Sequence, residues 1–273
     1  MRPAPVFDFS ALDGLAFAAE RGRLNGRTPP RMTAVSLGPV VEMSHLAKAG
    51  VLPAPDKADW LRLDGLAVLY RMVLGGRFQW ICPDGRRIGF LRTRRQRPDD
   101  YEESLGFCLA TRQAAAMAGF PARVAQQLAA AIGELHSNIY EHSGASGTGL
   151  IAFRAGVSSF EFVVSDRGIG VLETLRTCPI YSQLADHGNA LILALTDGVS
   201  RYGPNTGHGF GFRPIFNGLA NLKGLLRFRS GDHALTLDGT GLSLITAKPA
   251  QKTAISGFIV SVTCETESNS LIS

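Results

Sequence analysis

From Val124 to Ile139 apolar residues recur every three or four positions (Val124, Leu128, Ile132, Leu135, Ile139). That is the spacing of one stripe on a long helix opened by Pro121 and packed against a sheet. The stretch before it, with Leu105, Cys108, Leu109, Ala115 and Ala116, has the same period and stops at Gly119. The pattern then becomes β-rich over Leu150–Arg154 and Phe160–Ser165, with Gly156 between them as a hairpin signal. Beyond lie a helical segment (Leu184–Leu195), a glycine-rich loop (Gly203–Gly211), a helix (Pro214–Leu222) and closing strands near Leu225–Arg229, Ala234–Leu237 and Phe258–Thr263.

Upstream, residues 1–30 are rich in Pro, Gly, Ala and Arg and end in Thr28, Pro29, Pro30, so a loose arm is expected. Residues 31–98 alternate: a strand (Ala34–Met43), a short helix (Ser44–Gly50), a strand (Trp60–Leu63), a helix (Leu66–Leu74) and a strand ending before the Pro83, Asp84, Gly85 turn. That alternation predicts a small α/β accessory unit ahead of a larger domain over 99–273. No internal repeat is visible.

Composition fits a packed protein, 45% apolar and 19% charged. No run of about 18 uncharged apolar residues occurs, and the N-terminus lacks the order of a secretory signal, so a cytoplasmic protein without a membrane partner is expected. The four scattered cysteines form no Cys-x-x-Cys pair and no histidine stands at metal-ligand spacing, which suits reduced thiols. Six arginines (Arg86, Arg87, Arg92, Arg94, Arg95, Arg97) crowd into twelve residues. The adjoining Pro98, Asp99 and Asp100 favour a solvated linker, and with Phe90 the single aromatic residue among the arginines, nucleic acid is not expected.

Three constellations carry chemistry. On the long helix, Glu134, Asn138 and His142 stack along one polar face beside the apolar stripe. Asn138 offers a hard carbonyl oxygen of the kind Mg²⁺ accepts, and Glu134 could position or deprotonate a water or hydroxyl near a terminal phosphate. An ordinary amphipathic helix with a solvated face shows the same pattern. Next, the β-branched run to Ser165 delivers Asp166 to a turn with Gly168 and Gly170, where a base could lie against bare backbone and give its exocyclic amine to the carboxylate. A tight Asp-x-Gly hairpin turn reads alike. Last, Gly207, Gly209 and Gly211 leave backbone N–H groups free to approach phosphates, with Pro214 suited to the first turn of a following helix. This is neither a Rossmann fingerprint nor a P-loop.

In this order and at these separations, the three resemble the motifs of the GHKL ATPase superfamily, which includes gyrase, histidine kinases, heat-shock chaperones and mismatch-repair ATPases. Glu134–Asn138 resembles its N box, Asp166–Gly170 its first glycine box and Gly207–Gly211 its second, and the likeness spans Ser104 to Cys264. The resemblance implies a Bergerat-type α+β two-layer sandwich within the α/β class, a mixed sheet covered on one face by helices. It implies ATP as ligand, Mg²⁺ on Asn138 and Glu134 as the catalytic acid-base group near the γ-phosphate. It further implies Asp166 on the adenine amine, His142 and the glycines at 168, 170, 207, 209 and 211 around the nucleotide, and Val171–Thr206 as a lid.

His142, four residues after Asn138, makes the pattern more similar to stand-alone anti-sigma-factor serine kinases than to sensor histidine kinases. Phe210 and Phe212 replace usual leucines, and Glu141 stands where a basic residue is common, which leaves adenine binding plausible and puts turnover in question. The N-terminal unit faintly resembles STAS-type regulatory modules. His45 is the sole upstream candidate for a phospho-acceptor, and its segment is too short for a helical hairpin dimer. The expected function is a Mg-ATP-dependent signalling protein that phosphorylates a protein serine or threonine, or gates a regulatory protein partner; a homodimer is compatible with it. The alternatives are an ATP-hydrolysing conformational switch and a degenerate partner-binding module.

Overall fold

The computed structural model describes residues 4–24, 28–85, 87–97, 102–195, 223–238 and 248–266. Among them the chain is a mixed α/β structure. Its helices are α1 (Phe9–Glu20), α2 (Leu37–Lys48), α3 (Ala67–Leu74), α4 (Glu102–Met117), α5 (Ala122–His142), α6 (Gly170–Arg176) and α7 (His187–Ala194). A two-stranded parallel sheet pairs β1 (Met32–Ala34) with β2 (Leu61–Leu63). The main sheet has six antiparallel strands, β3 (Gln79–Ile81), β4 (Ile88–Arg92), β5 (Leu150–Ala155), β6 (Ser159–Asp166), β7 (Lys223–Asp238) and β8 (Ala250–Glu265), in the order β3-β4-β5-β6-β8-β7. No helix among the described residues is long and apolar enough to cross a membrane.

The apolar stripe of α5 packs as its spacing predicts: Leu128, Ile132, Leu135 and Ile139 are buried, and Val124 is partly so. They meet α4 and one face of the sheet, where Phe153, Phe160, Phe162 and Val164 point. Each of these phenylalanines is fully buried, contributing about 2–3 kcal/mol by removal from water. The strands over Leu150–Arg154 and Phe160–Ser165 also form as expected, with Gly156 donating its N–H to Ser159 across the hairpin at 2.7 Å.

The opposite face of the sheet is covered too, and here the structure departs from expectation. The sheet is antiparallel throughout its described strands rather than mixed, and helices lie on both faces rather than one. Strand β6 is buried along nearly its whole length, with Val163 in a second core beneath α1 and α2. Residues 9–20, expected as a loose arm, form α1: Asp8 caps it by accepting the N–H of Ala11, and Leu12 and Ala16 enter that core. The Pro residues fall outside the helix, and Gly14 within it faces open space, so neither prevents it from forming.

The stretch 34–43, expected as a strand, is mostly α2. It is buried on every side, wedged between the sheet and its neighbours, so its sequence has no polar face to betray a helix. The division expected at 98/99 does not separate two sheets, since β4 pairs with β5 from Ile88↔Arg154 to Arg92↔Leu150.

The arginine run is not a solvated linker either. Arg87 donates to the Gly156 carbonyl at 2.8 Å, Arg92 to that of Val73 at 2.9 Å and Arg94 to Glu103 at 2.9 Å, while Arg97 reaches Ser137 at 3.0 Å. Guanidinium donors here tie strand ends and helix α5 together; Arg86 lies outside the described residues.

A buried ionic cluster joins the two layers. Arg227 of β7 donates to Glu42 of α2 at 2.8 and 2.9 Å and to Asp13 of α1 at 2.6 Å, and Arg229 also pairs with Glu42. Glu42 is fully buried, so two guanidinium groups are what permits its charge inside the core.

Candidate functional site

Side chains alternate along β6, so Asp166 shares a face with Phe160, Phe162 and Val164, the face that α5 covers. The carboxylate is completely buried. Its Oδ1 accepts the Gly168 N–H at 2.7 Å, whereas Oδ2 has no hydrogen-bond partner among the described residues. Burial pushes its pKa up to about 6, and the backbone N–H groups of Gly168 and Phe258 pull it back only in part. A buried acceptor without a donor costs about 1–3 kcal/mol, and a donor supplied by a ligand would recover that cost.

The turn after Asp166 is locked to the end of α5. Ile169 donates its N–H to the carbonyl of Ser143 at 2.9 Å, and Thr174 Oγ1 lies 3.0 Å from the carbonyl of His142. Arg167 donates its N–H to Thr148 Oγ1 at 2.9 Å. His142 and the Asp166 turn therefore adjoin. Asn138 stands one helical turn before His142, and Glu134 one turn before that. Asn138 and His142 are half-buried, and Glu134 is exposed.

Glycine is needed at this turn for close approach. A Cβ at Gly168 would overlap the Ser143 carbonyl oxygen. At Gly170, with φ +78, a Cβ would stand 2.7 Å from Ser230 Oγ, which itself donates to the Gly257 carbonyl at 2.8 Å. Gly257, with φ +74, passes so near Asp166 that a side chain would collide with its backbone.

Ser143, Thr174, Ser230 and Gly257 thus support the site, and none of them stood out in the sequence. A signal existed for Gly257 alone: an isolated glycine between Ile255 and Phe258–Val260 marks a bulge or a close backbone approach, and β7 and β8 do shift register near this point.

Gly207, Gly209 and Gly211, with Phe210, Phe212, Pro214 and residues 196–206 of the expected lid, lie outside the described residues. The described part of that lid holds α6, a short 3₁₀ turn at Pro179–Tyr181 and α7, with Leu172, Leu175 and Ala190 packed together. Glu141, found where a basic residue was expected, lies 3.6 Å from Arg97, so a cation from the arginine run faces that acid.

An orphaned, buried carboxylate oxygen beside glycine backbone can accept a hydrogen bond from an amine or other N–H donor. Asn138, half-buried on the same side of the sheet, is a neutral oxygen donor of the type Mg²⁺ takes. No group of three or more His, Cys, Asp or Glu side chains able to hold a metal occurs among the described residues. No known protein family, curated protein or solved structure matches the chain.

Proposed function

We propose that this chain binds Mg-ATP through a GHKL-type, Bergerat-like site and acts as a signalling protein, transferring phosphate to a protein serine or threonine or gating a regulatory partner. The observation that carries the reading is the buried Asp166, whose Oδ2 has no partner among the described residues, on the face shared with α5. The layer of α4 and α5 over the sheet supports the Bergerat comparison, and α1 and α2 add a further layer behind it.

Each residue then has a task. Asp166 accepts the adenine amine, and Gly168 and Gly170 let the turn beside it pack closely against Ser143 and Ser230. Asn138 holds the magnesium, which when bound would neutralise phosphate charge. Glu134, exposed one turn away, orients the attacking hydroxyl or water and takes its proton. Reduced turnover is consistent with the acid at Glu141, although Arg97 offsets that charge.

Thermal-shift titration of the full chain with Mg-ADP and Mg-ATP tests this. Nucleotide at 100 times its dissociation constant should stabilise the fold by about 2.7 kcal/mol, and Asp166→Ala should abolish the effect. If neither nucleotide shifts the folded protein, the proposal fails. With binding established, radiolabel on a partner that is lost in Asn138→Ala selects the kinase, while phosphate release without label selects the conformational switch.

A further inference from the structure

A cavity of about 520 Å³ lies behind the sheet, between α2, α3 and strands β5 and β6. Its size falls within the roughly 300–1,000 Å³ of small-molecule pockets, which are mainly apolar with a few placed polar groups. Val40, Val41, Leu69, Val73 and Leu150 supply apolar wall. Ser165 and Arg167 line it, while Asp166 between them shares the α5 face, so this cavity and the candidate nucleotide site occupy opposite sides of β6.

The polar lining is unbalanced. Lys48 and Arg167 are exposed at the cavity's solvent side, and neither forms an ion pair among the described residues. Asp56, the carboxylate in the lining, is already engaged by the Tyr70 hydroxyl at 3.3 Å and by Lys57 at 3.7 Å. Deeper lies His45, only 8% exposed, whose Nδ1 has no hydrogen-bond partner among the described residues. Burial, then the Arg167 charge, lowers its pKa to about 4 against a backbone hydrogen bond with Ser256, so at neutral pH it is an uncharged imidazole whose Nδ1 is left open. Such burial also removes His45 from any role as an accessible phospho-acceptor.

We infer that this cavity binds a small amphipathic anion, its apolar body between α2 and α3, its carboxylate toward Arg167 and Lys48, and a polar atom against His45. Two cations without a paired acid select the charge. The apolar walls select the body, and the buried imidazole nitrogen gives the orientation.

The test uses the full chain without nucleotide, so that its result is separate from the nucleotide reading. Hydrocinnamate is titrated against the protein while the His45 ring is followed by NMR, with hydrocinnamide as the uncharged control. A saturable shift of the His45 resonances by the acid at up to millimolar concentration is expected. Affinity should fall about tenfold or more for the amide, and likewise for the acid in the Lys48→Gln, Arg167→Gln double variant, as loss of a charged hydrogen bond implies. Both substituted side chains are exposed, so the fold should persist. Equal binding of acid and amide, undiminished binding in the double variant, or no saturable shift at millimolar acid would each overturn the inference.

Discussion

Gly168 runs so close to Ser143 that a side chain at position 168 would occupy the space of the Ser143 carbonyl oxygen, the atom that accepts the Ile169 N–H at 2.9 Å. The first glycine turn and the end of α5 are thus one joint. Gly168→Ala must push them apart, and urea unfolding should show a loss of about 1–3 kcal/mol, the usual cost of overpacking. Gly106, exposed in the middle of α4 with nothing within 4 Å of its would-be Cβ, is the contrast. Gly106→Ala should instead gain about 0.5–1 kcal/mol, because alanine loses less backbone entropy in a helix.

Asp166 should show opposed effects on stability and on binding. Its pKa is raised from 3.8 to about 6 by burial, so its favourable contribution is complete below pH 3.8 and is lost as pH rises through 6. Asp166→Asn removes the desolvated charge; its unfolding free energy at pH 7 should equal or exceed that of the parent. Nucleotide affinity should drop about tenfold or more, as expected for losing a charge-assisted acceptor. In the parent, affinity should weaken as pH falls below about 6, because the acceptor becomes protonated; calorimetry at several pH values in parent and variant would reveal this, and a pH-independent parent would contradict it.

Glu161 lies on the other face of β6 and accepts the Leu37 N–H at 2.9 Å, so a strand residue caps helix α2. Burial raises its pKa from 4.5 to about 7, and the cap and Arg154 at 3.6 Å offset that only in part. Its favourable share is therefore full below pH 4.5 and fades as pH climbs through 7. Glu161→Gln keeps an acceptor for Leu37 and cannot ionise. Unfolding titrations between those two pH values should show a steeper decline in the parent than in the variant, which keeps the share due to Asp166.

Glu42→Gln should be far more damaging than Asp13→Asn. The first leaves Arg227 and Arg229, 3% and 1% exposed, without their shared counter-charge, a change that costs about 3–5 kcal/mol in buried pairs. Asp13 is 19% exposed at its side chain and also meets Lys252 at 2.8 Å, so water can compensate there. Denaturation midpoints of the two variants would rank them.

Where one side of an element met the core, its period was legible in the sequence: α5 announced itself through Leu128, Ile132, Leu135 and Ile139. Strands β5 and β6, buried on both faces, showed instead as short apolar runs. In α2 full burial erased the helical period. Leu37–Met43 is buried on all sides and reads as a strand, and only the sheet on one flank and α1 on another make it a helix. Asp166 and Gly168 could be marked because aspartate and glycine have few reasons to end a buried strand. Ser143, Ser230 and Thr174 could not, because their part depends on which backbone atoms tertiary folding brings against them. The cavity around His45 was hidden for the same reason, since its walls come from α2, α3 and β6, far apart in sequence.

The shared Glu42 has a practical corollary for anyone wishing to isolate the proposed nucleotide-binding portion. Cutting the chain ahead of residue 99 would strip β3 and β4 from the sheet and bare Ala152, Val163, Ile255 and Ile259 to water. It would also strand two arginines in a greasy surface with no acid to meet them. Such a fragment would be a sticky, misfolding polypeptide, and its inactivity would say nothing about ATP.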